Sequence, residues 1–229
     1  MVSSIYKKTF SVLMKRPFRL WGISLLAEFL CLVAYAGFIG VPAAAFCAAL
    51  LLSASMSMIF LNSYRTGLEP KTSYLFASFK KDRILRVLGG MAWMQLWIFL
   101  WSLIPIVGIV FGIIRMYEYR FVPYILMTRD DVKPTDAIKI SKQETMGYKG
   151  KMFGADILLG AVYLGVFLVF TLLGEIPYLG VLFRILWVLI AIAYGLLAPL
   201  FSGIMHAAFY VEIQNRRAAG SWHPAAPAR

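Results

Sequence analysis

Seven ionisable side chains interrupt otherwise apolar stretches of this 229-residue chain, and their types and positions could support chemistry. Glu28 sits near the middle of the first apolar run. Arg115, Glu118 and Arg120 share the fourth, Asp156 opens the fifth, and Arg184 and His206 lie toward opposite ends of the sixth. A charge inside lipid costs at least about 2.5 kcal/mol on insertion scales, so each such group needs a partner or a task. Glu28 and Arg115 stand at similar distances from the ends of their runs and are expected to pair across a bundle. Arg115 and Glu118, three apart on one helical face, form the alternative pair within one helix. Together Glu28, Arg115, Glu118, Arg120 and Arg184 make a candidate intramembrane polar site. It reads either as a pathway or seat for an anionic or zwitterionic headgroup, or as a charge network that only fixes helix register.

Catalytic constellations are not expected. Ser202 precedes His206 by one helical turn, but no acid stands at a fixed spacing to orient the imidazole, and no glycine-rich nucleophile motif occurs. A helix contact is the reading for that pair. With His223 near the C-terminus and Cys31 and Cys47 inside apolar runs, no metal-ligand spacing is present. Neither nucleotide-binding glycine fingerprint appears. The expectation is no catalytic residue, no metal and no cofactor.

The elements that must position these groups follow from composition. Hydrophobic residues make up 61% and charged residues 15%, more apolar surface than one water-soluble core can hide, so the solvent is read as lipid. Apolar residues at three- and four-residue steps (Ile5, Tyr6, Phe10, Leu13, Met14) predict a surface-lying helix over 3–16. Spans are predicted at 20–38, 43–61, 84–102, 106–127, 152–173 and 181–210. They form one all-α membrane domain of residues 1–213, with three helical hairpins and a disordered cytoplasmic tail over 214–229. Tyr74, Phe76 and Phe79 beside Lys80, Lys81, Arg83 and Arg86 read as a headgroup-level belt. Pro134 and Gly147 bracket a short loop helix. In the second span, Ala45, Ala49 and Ser53 share a face that would let another helix approach closely, within the chain or in a second copy.

Of the 23 Lys and Arg residues, 20 fall before the first span, in the two long connections or after Asn215, whereas the turns near Gly40, Pro105 and Pro177 carry none. That asymmetry predicts both termini in the cytoplasm. It makes Lys7, Lys8, Lys15, Arg16, Lys80, Lys81, Arg83, Lys149 and Lys151 a basic cytoplasmic surface. The net charge of +12 is thereby assigned to topology and to the anionic inner leaflet, and nucleic acid is not an expected partner. The turns Ile104–Gly108 and Ile176–Gly180 echo one another and are read as a duplicated hairpin or as two turns with the same needs.

The stretch Tyr119-Arg120-Phe121-Val122-Pro123-Tyr124-Ile125-Leu126, with Asp130-Asp131, Ala137-Ile138-Lys139-Ile140-Ser141, Met146-Gly147-Tyr148-Lys149-Gly150-Lys151-Met152-Phe153 and Asp156, resembles bacterial integral membrane proteins grouped as domain of unknown function 975. The similarity covers under a fifth of the chain and ends after Asp156, where Ile157-Leu158-Leu159-Gly160-Ala161 follows. It implies a multi-span bacterial inner-membrane protein and brings no activity. The functional expectation is a non-enzymatic transport component or accessory subunit whose basic face holds lipid or a protein partner. A homo-oligomer is also open. The alternative is the permease subunit of an exporter whose ATPase is a separate chain, and a lipid-modifying enzyme is a third reading.

Overall fold

The structure is a computed structural model that describes residues 2–15, 17–37, 42–67, 71–105, 108–176 and 178–220; those residues contain no strand. Nine α-helices are described: α1 (Val2–Lys15), α2 (Pro17–Gly37), α3 (Pro42–Thr66), α4 (Ile84–Ser102), α5 (Gly108–Glu118), α6 (Val122–Thr128), α7 (Pro134–Thr145), α8 (Lys149–Leu173) and α9 (Gly180–Ala218). A 3₁₀ segment, Thr72–Phe79, lies between α3 and α4. Five of these helices, α2, α3, α4, α8 and α9, are long and apolar enough to cross a membrane. That is the make-up of a multi-pass membrane protein.

The expected fourth span is not one continuous helix. It breaks into α5, with 11 residues, and α6, with 7. At 1.5 Å per residue α5 is only about 16 Å long, short of the ~30 Å of a bilayer core. Pro123, in the first turn of α6, is the cause. It has no N–H to donate, and its ring would collide with the carbonyl of Tyr119 if the helix ran straight through.

The break is stitched from outside. Ser141 Oγ of α7 accepts from the Phe121 amide at 3.1 Å and donates to the Glu118 carbonyl at 2.7 Å. Thr145 Oγ1 reaches the same carbonyl at 3.3 Å. Backbone groups left over by the break thus find partners on a loop helix, as buried polar groups must. Pro134 at the start of α7 and Gly147, in the left-handed region at φ 80°, bound that helix as its sequence predicts.

Packing is concentrated at the basic end, where α3, α6, α7 and the C-terminal part of α9 meet. Phe121, Ile125, Leu126, Met152, Ile204, Phe209 and Tyr210 are fully buried there. Gly90 of α4 sits so close to α6 that a Cβ would lie 2.5 Å from Leu126 Cδ1. At the opposite end Leu158, Val162, Leu172, Val181, Ile185 and Ile192 are all more than half exposed, a surface suited to acyl chains and not to water.

Ion pairs tie the connections to this core. Arg83 and Arg86 both reach Asp130 at 2.7 Å, and Arg86 also donates to the Leu126 and Arg129 carbonyls, which end α6. Glu144 of α7 is 1% exposed and accepts from Arg129 at 2.7 Å and from Arg217 at 3.4 Å. That last bond, with the Glu212–Arg216 pair at 3.0 Å, carries α9 through Ala218, past the predicted start of a disordered tail at 214. Residues 221–229, Arg16, the turn at Gly40 and Pro177 itself lie outside the described residues.

Candidate functional site

A cavity of about 620 Å³ lies between α2, α3, α4, α9 and the broken α5–α6 segment, within the usual range for small-molecule sites. Met56, Met91, Met94 and Met116 contribute to its wall, and unbranched thioethers adapt readily to a ligand. Ser53, Ser57 and Gln95 add neutral hydrogen-bonding groups. Ala49 and Ser53, expected on a face for close helix approach, line this space instead. Ala45 of the same face is packed, at 1% exposed, and α9 approaches α3 at the cavity wall, where a Cβ on Gly203 would lie 2.3 Å from the Phe60 ring.

The polar wall is built at the helix break. Arg120 sits between the two halves, lines the cavity and places Nη2 3.0 Å from His206 Nδ1 of α9. His206 is 1% exposed, and its Nε2 lies 3.2 Å from Asp156 Oδ2 of α8. Tyr117 donates its hydroxyl to the same carboxylate oxygen at 2.7 Å. Ser202 Oγ lies 3.2 Å from Nδ1. The orienting acid that local spacing could not supply for His206 is therefore provided by another helix. No carboxylate lies within ion-pair distance of Arg120 among the described residues.

A second cluster occupies the other side of the break. Arg115 pairs with Glu118, which also accepts from Lys149 Nζ at 2.6 Å. The Arg115 guanidinium stands 4.6 Å from the centre of the Trp101 ring, an arrangement that favours a cation. The expected Glu28–Arg115 pair does not form: Glu28 is exposed on α2, and the partner of Arg115 is three residues away on its own helix. Arg184 also stands apart, exposed and 3.9 Å from Glu175. Of the five candidate residues, the structure brings Arg115, Glu118 and Arg120 to one place. Asp156, His206, Tyr117 and Ser202 complete it.

The basic surface is also sorted by the fold. Lys7, Lys8, Lys15, Lys80, Lys81 and Lys151 are exposed, whereas Arg83 is engaged with Asp130 and Lys149 turns inward to Glu118. Around the break, three cations (Arg115, Arg120 and Lys149) face two carboxylates (Glu118 and Asp156). The region carries a surplus positive charge, and Arg120, with no carboxylate within ion-pair distance among the described residues, is the cation on the cavity. Among the described residues no three His, Cys, Asp or Glu side chains converge as metal ligands would. No family model, curated protein or solved structure matches this chain.

Proposed function

We propose that this is a non-enzymatic component of a bacterial cytoplasmic membrane that binds an anionic amphiphile in the cavity, working in transport or as an accessory subunit. One observation carries the reading: Arg120 lines the cavity and has no carboxylate within ion-pair distance among the described residues. A half-buried cation with Asp156 only behind His206 is incompletely offset, and an anion arriving from the ligand would complete the compensation. The methionines and aromatic rings around it suit an apolar body. Irregular backbone at membrane depth is tolerated where it lines a cavity, and interrupted helices commonly frame substrate sites in transporters.

In this reading α5 and α6 together form the fourth of six membrane segments, α1 lies on the inner leaflet, and both termini and α7 face the cytoplasm. The distribution of Lys and Arg supports that orientation. Kinship with the bacterial multi-pass domain of unknown function 975 proteins is part of the same proposal, drawn from the residues between Tyr119 and Asp156. The exposed lysines of α1 and of the connection before α4 suit anionic headgroups.

A second reading, the permease subunit of an ATP-driven exporter, is favoured by α7, because a cytoplasmic partner that moved α7 would move Ser141 and with it the helix break. Native mass spectrometry of the whole protein, released from nanodiscs, separates the two readings. A retained anionic amphiphile that is lost in Arg120→Gln supports the first. A stoichiometric ATPase favours the second. The same bound lipids in wild type and variant would defeat the cavity reading.

A further inference from the structure

We propose that His206 is a proton-binding site that holds Arg120 when neutral and releases it to the cavity when protonated, so that anion binding is coupled to a proton. The proposal rests on the reading of the cavity as an anion site. Its basis is a conflict at one atom. His206 Nδ1 faces Arg120 Nη2 at 3.0 Å and the Ser202 backbone carbonyl at 2.7 Å. A guanidinium only donates and a carbonyl only accepts, so the nitrogen cannot satisfy both at once.

Each protonation state has its partners already in place. With His206 neutral and its hydrogen on Nε2, that hydrogen goes to Asp156 and the Nδ1 lone pair accepts from Arg120. With His206 protonated, Nε2–H keeps Asp156 and Nδ1–H donates to the Ser202 carbonyl. Arg120 then loses its acceptor and faces a second cation in surroundings of low dielectric. The cavity is the open direction, and an anion there would neutralise it. By linkage, the proton and the anion each strengthen the other's binding.

The surroundings of His206 support this reading. From α8 the charged group is Asp156, held in turn by the Tyr117 hydroxyl of α5. From α1, Tyr6 directs its hydroxyl to the Ala155 carbonyl beside Asp156, at 2.5 Å. From α6, the Tyr124 hydroxyl reaches the Gly203 carbonyl at 3.4 Å. Across the cavity α3 offers neutral Ser53 and Ser57, α4 neutral Gln95 and α2 Tyr35, while Glu28 is exposed on α2. Arg120 and Asp156 are therefore the charges that govern the switch among the described residues.

The test uses the full chain in maltoside micelles and a dansyl-tagged dodecyl sulfonate, whose own charge does not change with pH. Between about pH 8 and about pH 5.5 the wild type should bind it more tightly on acidification, by at most about tenfold per pH unit, the limit for one coupled proton. In His206→Gln that slope should vanish. A slope that survives the substitution, or its absence in wild type, overturns the proposal while leaving the anion site standing. Binding that ignores Arg120→Gln at every pH defeats the anion reading and the coupling with it. A second measurement judges the latch without any ligand. The chain has two histidines, so ¹⁵N-histidine spectra of His223→Ala report His206 alone. Adding Arg120→Gln should raise the protonation midpoint, because a neighbouring cation is removed. An unchanged midpoint overturns the latch.

Discussion

Ser141 Oγ donates to the Glu118 carbonyl at 2.7 Å, and through that bond α7 completes the backbone of the interrupted α5–α6 segment. The same oxygen accepts from the Phe121 amide, so one hydroxyl serves both sides of the break. Ser141→Ala should therefore lower stability by about 1–3 kcal/mol, the usual cost of stranding buried polar groups. Thermal unfolding in detergent reads this directly, with exposed Lys139→Ala as the reference. Equal midpoints for the two variants would mean the break is held by packing alone.

Adjacent glycines on α4 should behave oppositely. A Cβ on Gly90 would press into buried Leu126, whereas one on Gly89 would meet its nearest neighbour, Pro134, at an ordinary 4.0 Å. Gly90→Ala is expected to cost about 1–3 kcal/mol through overpacking, and Gly89→Ala to be neutral or slightly stabilising. If both are tolerated alike, α4 and α6 are not in this contact.

The charge cluster makes a third prediction. Glu118 is 6% exposed in its side chain and holds both Arg115 and Lys149. Glu118→Gln strands two cations and should cost about 3 kcal/mol, as breaking a buried pair does. Glu28→Gln should leave the unfolding midpoint where it is, since Glu28 is exposed on α2. A large loss from Glu28→Gln would restore the cross-bundle pair that the structure lacks.

Orientation is tested by labelling from outside the cell with a membrane-impermeant thiol reagent, after replacing Cys31 and Cys47. Cysteine at Leu179, in the exposed turn before α9, should react in intact cells. Cysteine at Lys142, on the exposed face of α7, should react only after permeabilisation. The reverse pattern would invert the topology.

Much of this architecture was legible locally. Long apolar runs located α2, α3, α4, α8 and α9, Pro134 and Gly147 bounded α7, and the three-residue spacing offered the Arg115–Glu118 pair. The break between α5 and α6 is not legible there, because Arg115, Glu118 and Arg120 read as a polar site within one span and a proline such as Pro123 is tolerated inside membrane helices. Asp156 and His206 each stood out as ionisable groups in lipid, yet nothing in local spacing brings α8 to α9 at that depth. Lys149 looked like any other loop lysine, and only the position of Glu118 draws it inward. Groups that meet within one helix are visible in sequence, and groups that meet through packing are not.

The central claim is that Arg120 offers its charge to an anion in the cavity. Its most direct test is titration of the full chain in micelles with the dansyl-tagged dodecyl sulfonate, comparing wild type, Arg120→Lys and Arg120→Gln at one pH. The account predicts saturable binding by wild type, weaker binding by Arg120→Lys, which keeps the charge without the planar fork, and a loss of at least about tenfold in Arg120→Gln. Equal affinity in wild type and Arg120→Gln, with both proteins folded, would contradict it.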